Sequence, residues 1–140
     1  MTYQPKTYRK DGGDTHVIAS GGTLLMESGS TVTDERFSAS VAVAADVLAI
    51  PVTARYVAKT TGADAEALTI ADGVAGQRVN IALVVDGGGT GTLTPATCSG
   101  FATIVFADAG DIADIEYVDD TVGWVLVGTS GVAAPPVITV

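Results

Sequence analysis

Residues 78–85 read RVNIALVV, and the four residues that follow, 86–89, read DGGG. Within the first stretch, the apolar Val79, Ile81 and Leu83 alternate with polar or small residues. This period of two is typical of a β-strand that buries one face. The Asp and Gly residues after it indicate a loop, because glycine adopts backbone conformations that other residues resist. We interpret the glycine-rich residues from Asp86 onward as a flexible hairpin loop, since they lack the lysine of a phosphate-binding loop.

Similar β-prone runs recur on both sides of this stretch, with turn signals between them. They are residues 41–43, 47–50, 55–59, 67–70, 90–94, 102–106, 112–118, 123–127 and 137–140. Their spacing of about 8–12 residues predicts a β-sandwich or barrel over residues 41–140. The alanine-rich residues 39–49 and 63–67 leave short helices open there. The run Trp124–Val127 has no polar residue, so we expect it to be buried on both faces.

The composition of the 140-residue chain favours one all-β domain. It contains 19 Val, 18 Thr and 17 Gly, whereas charged residues make up only 16%. Such β-branched and turn-forming residues favour short strands over a helical bundle. The single Cys and single His exclude an internal disulfide framework and a multi-histidine metal site.

Charge is distributed unevenly along the chain. The first ten residues contain Lys6, Arg9 and Lys10 and no acid, whereas all 16 acidic residues follow, which gives a net charge of −9. This balance argues against nucleic acid or an anionic membrane as partners. The first residues lack the apolar core of a signal peptide, and no run is long enough to span a membrane.

Residues 1–12 are a candidate basic docking arm, because their charge is opposite to that of the remaining chain. Tyrosine and arginine are also frequent anchors of protein interfaces. The candidate capsid-docking residues are Tyr3, Lys6, Tyr8, Arg9 and Lys10. The alternative is a solubilising terminus without a partner, since chain ends are often untethered.

Three blocks of eight residues follow the arm over residues 13–36: GDTHVIAS, GGTLLMES and GSTVTDER. Each block begins with Gly and has Thr at its third position, which predicts a turn followed by a short strand. We expect a β-helix-like or stacked-strand stalk, and the alternative is a meander of hairpins. Three such short rungs are too few to bury a core alone, so contacts between copies in a trimer would complete them. The candidate trimer or rung contacts are Val17, Ile18, Leu24, Leu25, Met26 and Val32.

No residue pattern indicates catalysis, a cofactor or a metal centre. His16 is the only possible proton shuttle, and no Gly-x-Ser-x-Gly elbow accompanies it. Cys98 has no neighbour in sequence that would activate it, so we interpret it as a small buried residue. The acidic residues between 108 and 120 fit a solvated face, with Asp114 and Glu116 on one side of a strand. A weak Ca²⁺ site formed by separate loops stays open for this region.

Two segments carry a resemblance to a known group of proteins. The first comprises Tyr8–Asp14, Val17–Gly22 and Glu27–Gly29, and the second comprises Ile115–Tyr117 and Gly123–Val125 with Phe106 and Ala109–Asp111 before them. These segments resemble the opening and closing parts of small head-fibre or head-decoration proteins of tailed bacteriophages. The resemblance implies a trimer on the capsid exterior that has no catalytic activity.

The sequence therefore predicts a structural virion protein that decorates and stabilises the exterior of a bacteriophage capsid. Its expected partners are the major capsid protein and two further copies of the chain, without nucleic acid, membrane or cofactor. We expect production in the host cytoplasm and location on the capsid exterior. The alternative is a receptor- or glycan-binding module of a phage or cell-surface fibre.

Overall fold

The computed structural model describes residues 7–10, 15–18 and 40–140. Contacts between Cα atoms divide the chain into two units, Met1–Thr33 and Asp34–Val140. In the first unit, strands β1 (Thr7–Lys10) and β2 (Thr15–Ile18) pair antiparallel. We call this two-stranded sheet the hairpin.

The second unit contains ten strands and, over residues 40–140, no helix. The strands are β3 (Val41–Val43), β4 (Ala49–Ile50), β5 (Tyr56–Thr60), β6 (Glu66–Ile70), β7 (Gln77–Val85), β8 (Gly91–Pro95), β9 (Thr103–Phe106), β10 (Ile112–Tyr117), β11 (Trp124–Ser130) and β12 (Val137–Thr139). The all-β prediction is confirmed for these residues. Short helices were an open alternative for the two alanine-rich segments, and none forms within residues 40–140.

The ten strands form two mixed sheets of five strands each. Sheet I has the order β11-β10-β7-β5-β3, and sheet II has the order β12-β9-β8-β6-β4. In each sheet three strands run parallel, and the remaining two pair antiparallel. Neither sheet closes into a barrel, so the barrel alternative does not apply to residues 40–140.

The parallel pairs arise because the chain alternates between the two sheets. Strands β3, β5 and β7 lie in sheet I, and the strands after each of them, β4, β6 and β8, lie in sheet II. Parallel neighbours need a crossover connection, which is usually a helix. Here a strand of the opposite sheet serves as the crossover. Residues 41–95 therefore make three successive coils, each of which contributes one strand to each sheet.

One hydrophobic cluster holds the second unit together, and both sheets contribute to it. Sheet I supplies side chains such as Val79, Ile81 and Ile115, and sheet II supplies others such as Leu93 and Ile104, all of them fully buried. Their alternation with more exposed neighbours follows the period of two seen in the sequence. Burial of each such side chain contributes about 1.5–3 kcal/mol.

Two local predictions are wrong. The loop after β7 is not a hairpin, because β7 lies in sheet I and the next strand, β8, lies in sheet II. The run Trp124–Val127 is not buried on both faces: Trp124 is buried, whereas Val127 is 48% exposed. The reason is that β11 lies at an edge of sheet I and has a register shift opposite Asp114 and Ile115, which leaves Val127 outside the ladder.

Candidate functional site

Three of the five candidate docking residues lie on β1 of the hairpin. Tyr8 is opposite Val17, Arg9 is opposite His16, and Lys10 is opposite Thr15. The basic positions are thus held in register with the first octad block. The other two candidates, Tyr3 and Lys6, lie outside the described residues.

The candidate trimer or rung contacts fall partly on the same hairpin. Val17 and Ile18 lie on β2, and Ile18 is opposite Thr7. The other four, Leu24, Leu25, Met26 and Val32, lie outside the described residues, as do the second and third octad blocks. The stalk and its trimer contacts therefore stay predictions.

In the second unit, a buried ion pair holds the turn between β3 and β4 in place. We call this turn the corner of the first coil. The Lys59 Nζ atom lies 2.5 Å from Glu66 Oε2 and donates hydrogen bonds to the carbonyl oxygens of Ala44 (2.8 Å) and Val47 (2.9 Å). The two charged side chains are only 2% and 3% exposed. All three N–H groups of the ammonium therefore have acceptors, which is what allows a lysine to remain buried and charged.

Glu66 completes this corner from the other side. Its Oε1 atom accepts hydrogen bonds from the backbone N–H groups of Gly62 (2.6 Å) and Asp46 (3.2 Å). Asp46 has a positive φ of 63°, which is uncommon for a residue other than glycine. Burial raises the pKa of the Glu66 carboxyl, but the hydrogen bond from Lys59, the two backbone donors and the lysine charge outweigh it and lower the pKa overall.

This pair is absent from the residues predicted from the sequence, although the sequence carries a signal for it. Val57 and Lys59 are two residues apart on β5, so a strand that buries the valine also buries the lysine. The pair connects two strands and one corner of the fold, and each of its side chains also makes two hydrogen bonds to backbone groups. It therefore acts as a structural anchor.

The acidic residues 108–120 divide into two groups with different roles. Asp114 and Glu116 lie on the outer face of sheet I beside Arg78, at 2.9 Å and 3.5 Å, while Ile115 between them is buried. The prediction that Asp114 and Glu116 share one face is confirmed. Over residues 40–140 no three His, Cys, Asp or Glu side chains converge as a metal site would require.

The prediction of a solvated acidic face is wrong for Asp111, because this residue is buried. Its Oδ2 atom accepts hydrogen bonds from the backbone N–H groups of Ala107 (2.8 Å) and Asp108 (3.1 Å). Gly110, which precedes it, has a φ of 101°. The carboxylate thus closes the tight turn between β9 and β10, as aspartates do in such turns.

An aromatic pair closes one end of the core. Tyr117 and Trp124 pack edge to face with ring centroids 5.3 Å apart. The indole N–H donates to the carbonyl of Ala71 (3.0 Å), and the phenol donates to Asp120 Oδ1 (2.9 Å). Burial, together with the hydrogen bond to Asp120 and nearby aspartate charges, raises the pKa of Tyr117 to about 12.

Cys98 is half-buried, and its Sγ atom donates to the carbonyl of Phe101 at 3.1 Å. Burial raises the pKa of this thiol, so the reactive thiolate is disfavoured at neutral pH. The sequence predicts that Cys98 is a small buried residue, and the structure shows that it is only partly buried, packed against the hydrophobic cluster.

Known proteins give no further guide to the role of these residues. No family model, curated protein or solved structure matches the chain. Among the described residues, no helix is long and apolar enough to cross a membrane.

Proposed function

We propose that this chain is a structural virion protein, which decorates and stabilises the exterior of a bacteriophage capsid and docks there as a trimer. The observation that carries the proposal is the opposition of charge between the arm and the rest of the chain. Residues 1–10 carry three positive charges and no acid, whereas the chain as a whole has a net charge of −9. The resemblance of the opening and closing segments to phage head-fibre or head-decoration proteins suggests that the partner of the arm is a capsid.

Several charged groups of the second unit are paired within the fold. Lys59 and Glu66 hold a corner, Asp111 closes a turn, and Arg78 pairs with acids of the neighbouring strand. We therefore assign binding to surfaces outside these contacts, which are the basic hairpin strand and the exposed sheet faces.

In the proposed mechanism, the arm meets an acidic site at a symmetry axis of the capsid. Arg9 and Lys10 provide charge complementarity, and Tyr8 provides apolar contact. Bound copies that bridge neighbouring capsid subunits stabilise the assembled shell by mass action, because they bind the shell and not its separated subunits. The acidic second unit would face solvent.

The test is co-sedimentation of the purified protein with capsids that lack it. Arg9→Glu and Arg55→Glu change the net charge equally, but only Arg9 belongs to the arm. We expect Arg9→Glu to weaken capsid binding by about tenfold or more and Arg55→Glu to leave it near the wild-type value. Binding should also weaken as salt is added.

A second test deletes residues 1–12. We expect the deletion to abolish capsid binding without unfolding the second unit. Capsid binding by the deleted protein at wild-type strength would refute the docking role of the arm. Retention of the intact protein on host cells, together with no capsid binding, would favour a receptor- or glycan-binding module.

A further inference from the structure

The outer face of sheet II is built from small, uncharged side chains. Along its strands these residues alternate with buried ones such as Leu68, Leu93 and Ile104. The outward residues are Ala49, Ala67, Thr69, Thr92, Thr94, Thr103, Val105, Val137 and Thr139. The strand register aligns them in rows across the sheet, so that Ala67, Thr92, Val105 and Val137 follow one another.

The two sheets differ in where they carry charge. The outer face of sheet I carries Arg78, Asp114 and Glu116. The five strands of sheet II contain one charged residue, Glu66, and its side chain is buried against Lys59. The outer face of sheet II is therefore free of charge, although the chain carries a net charge of −9.

This distribution favours contact between copies of the same chain. Acidic copies repel one another, and like charges placed opposite each other in an interface cost several kcal/mol. A contact made through an uncharged face avoids that cost. Small threonine, valine and alanine side chains also let two sheets approach closely, and hydroxyl groups can donate and accept across the contact, as Thr103 and Thr139 already do within the sheet at 2.5 Å.

The size of the face sets the strength of the contact. The five strands have 2, 5, 5, 4 and 3 residues, and at about 3.3 Å per residue and about 4.8 Å between strands they present roughly 300 Å². A stable interface of standard size buries about 800 Å² on each partner. Association through this face alone is therefore weak in dilute solution and is strengthened where copies are held close together.

We propose that the outer face of sheet II is the surface through which two copies of this chain contact one another, sheet against sheet. The choice of face rests on the charge distribution, and this contact is separate from the trimer contacts predicted in residues 13–36. Added salt screens the repulsion between copies, so it should strengthen self-association while it weakens arm-mediated capsid binding.

The experiment measures self-association by sedimentation equilibrium from micromolar to millimolar protein. Thr94→Glu places a charge in the central strand β8 of sheet II, and Thr129→Glu places the same charge on β11 of sheet I. Both threonines are exposed, and thermal unfolding of each variant confirms that it is folded. We expect wild-type protein and Thr129→Glu to associate equally as concentration rises, and Thr94→Glu to associate about tenfold more weakly or not at all.

A wild type that stays monomeric throughout, or a Thr94→Glu variant that associates like wild type, would overturn the proposal. Co-sedimentation with capsids separates this failure from failure of the proposed function. Loss of association in Thr94→Glu without any capsid binding by wild type would support the contact and refute the capsid role. Capsid binding that Thr94→Glu abolishes, in a protein that never self-associates, would assign the face to the capsid and so overturn the contact between copies.

Discussion

Lys59 shows how a single residue constrains the first coil. Its ammonium group is buried between the sheets, and its three hydrogens are directed to Ala44, Val47 and Glu66. Removing one partner of such a pair leaves an uncompensated buried charge, which costs far more than loss of a surface ion pair. The same lysine also satisfies two carbonyls of the corner, so the charge and the backbone are stabilised together.

Lys59→Met should destabilise the protein strongly. We expect the free energy of unfolding, measured by urea titration, to fall by about 3–5 kcal/mol because Glu66 is left buried without its cation. Arg78→Met is the matched control, since it removes a cation from a half-exposed pair, and we expect a loss of about 0–1 kcal/mol. Equal losses in the two variants would show that Lys59 is not the anchor of the corner.

Glu66 gives this pair a dependence on pH. The pKa of its carboxyl is lowered from the ordinary value of 4.5, so the folded state favours the ionised form more than the unfolded state does. The resulting stabilisation is present above that ordinary value and is lost as pH falls through the folded pKa. Because many other carboxyl groups titrate in the same range, only a comparison with Glu66→Gln isolates this effect.

We therefore expect the difference in unfolding free energy between wild type and Glu66→Gln to be largest near neutral pH. It should begin to narrow as pH falls below about 4.5, because the unfolded wild-type chain then takes up a proton at Glu66, and the narrowing ends once the folded carboxyl is protonated as well. Urea titrations of both proteins at a series of pH values measure this difference. A difference that stays constant over the whole range would contradict the lowered pKa.

At the scale of elements, the corners that join sheet I to sheet II stack against one another. The loop after β7 packs on the loop after β5, where the N–H of Gly89 donates to the carbonyl of Gly62 at 2.9 Å. A Cβ atom on Gly89 would lie 2.0 Å from the carbonyl oxygen of Asp64. Gly88 has open space around its Cβ position, but its φ is 103°. Adjacent glycines are thus required for two different reasons.

Alanine substitutions should separate these reasons. Gly88→Ala meets only backbone strain, so we expect a loss of about 1 kcal/mol in the free energy of unfolding. Gly89→Ala forces the two corners apart, and we expect a loss of about 3 kcal/mol or more. Thermal and urea unfolding of the two variants make the comparison. The opposite order of losses would mean that close approach of the corners does not limit the fold.

The strands were predictable and their order was not. Runs such as Arg78–Val85 carry the period of two and end at turn residues, so they mark the strand β7 in the sequence alone. Nothing in Asp86–Gly89 distinguishes a hairpin from a crossing to the other sheet, because both need the same turn chemistry. Edge position, which exposes Val127, likewise depends on partners that are distant in the chain. Period-two reasoning could have found Lys59, but not the backbone acceptors that surround it.

At the scale of the whole molecule, the proposed docking residues and the hydrophobic cluster lie in different parts of the chain. Among the described residues, every member of the hydrophobic cluster, including the partly buried ones packed against it, lies between Val43 and Ile138. The candidate docking residues all lie before position 11. A division of this kind would let docking residues change without loss of the core, because residues that share no packing partners have nearly additive effects on stability.

A protein that begins at residue 34 should therefore fold like the full chain. We expect its free energy of unfolding to lie within about 1 kcal/mol of the full-length value, because every described member of the hydrophobic cluster is retained. Fluorescence of Trp124, the single tryptophan, reports on the core during urea titration. Ile115→Ala in the full chain is the control for sensitivity, since loss of a fully buried isoleucine should cost about 2–5 kcal/mol. If the shortened protein instead loses as much as that control, the body needs the preceding residues to fold, and loss of capsid binding on deletion of the arm would no longer be evidence of docking alone.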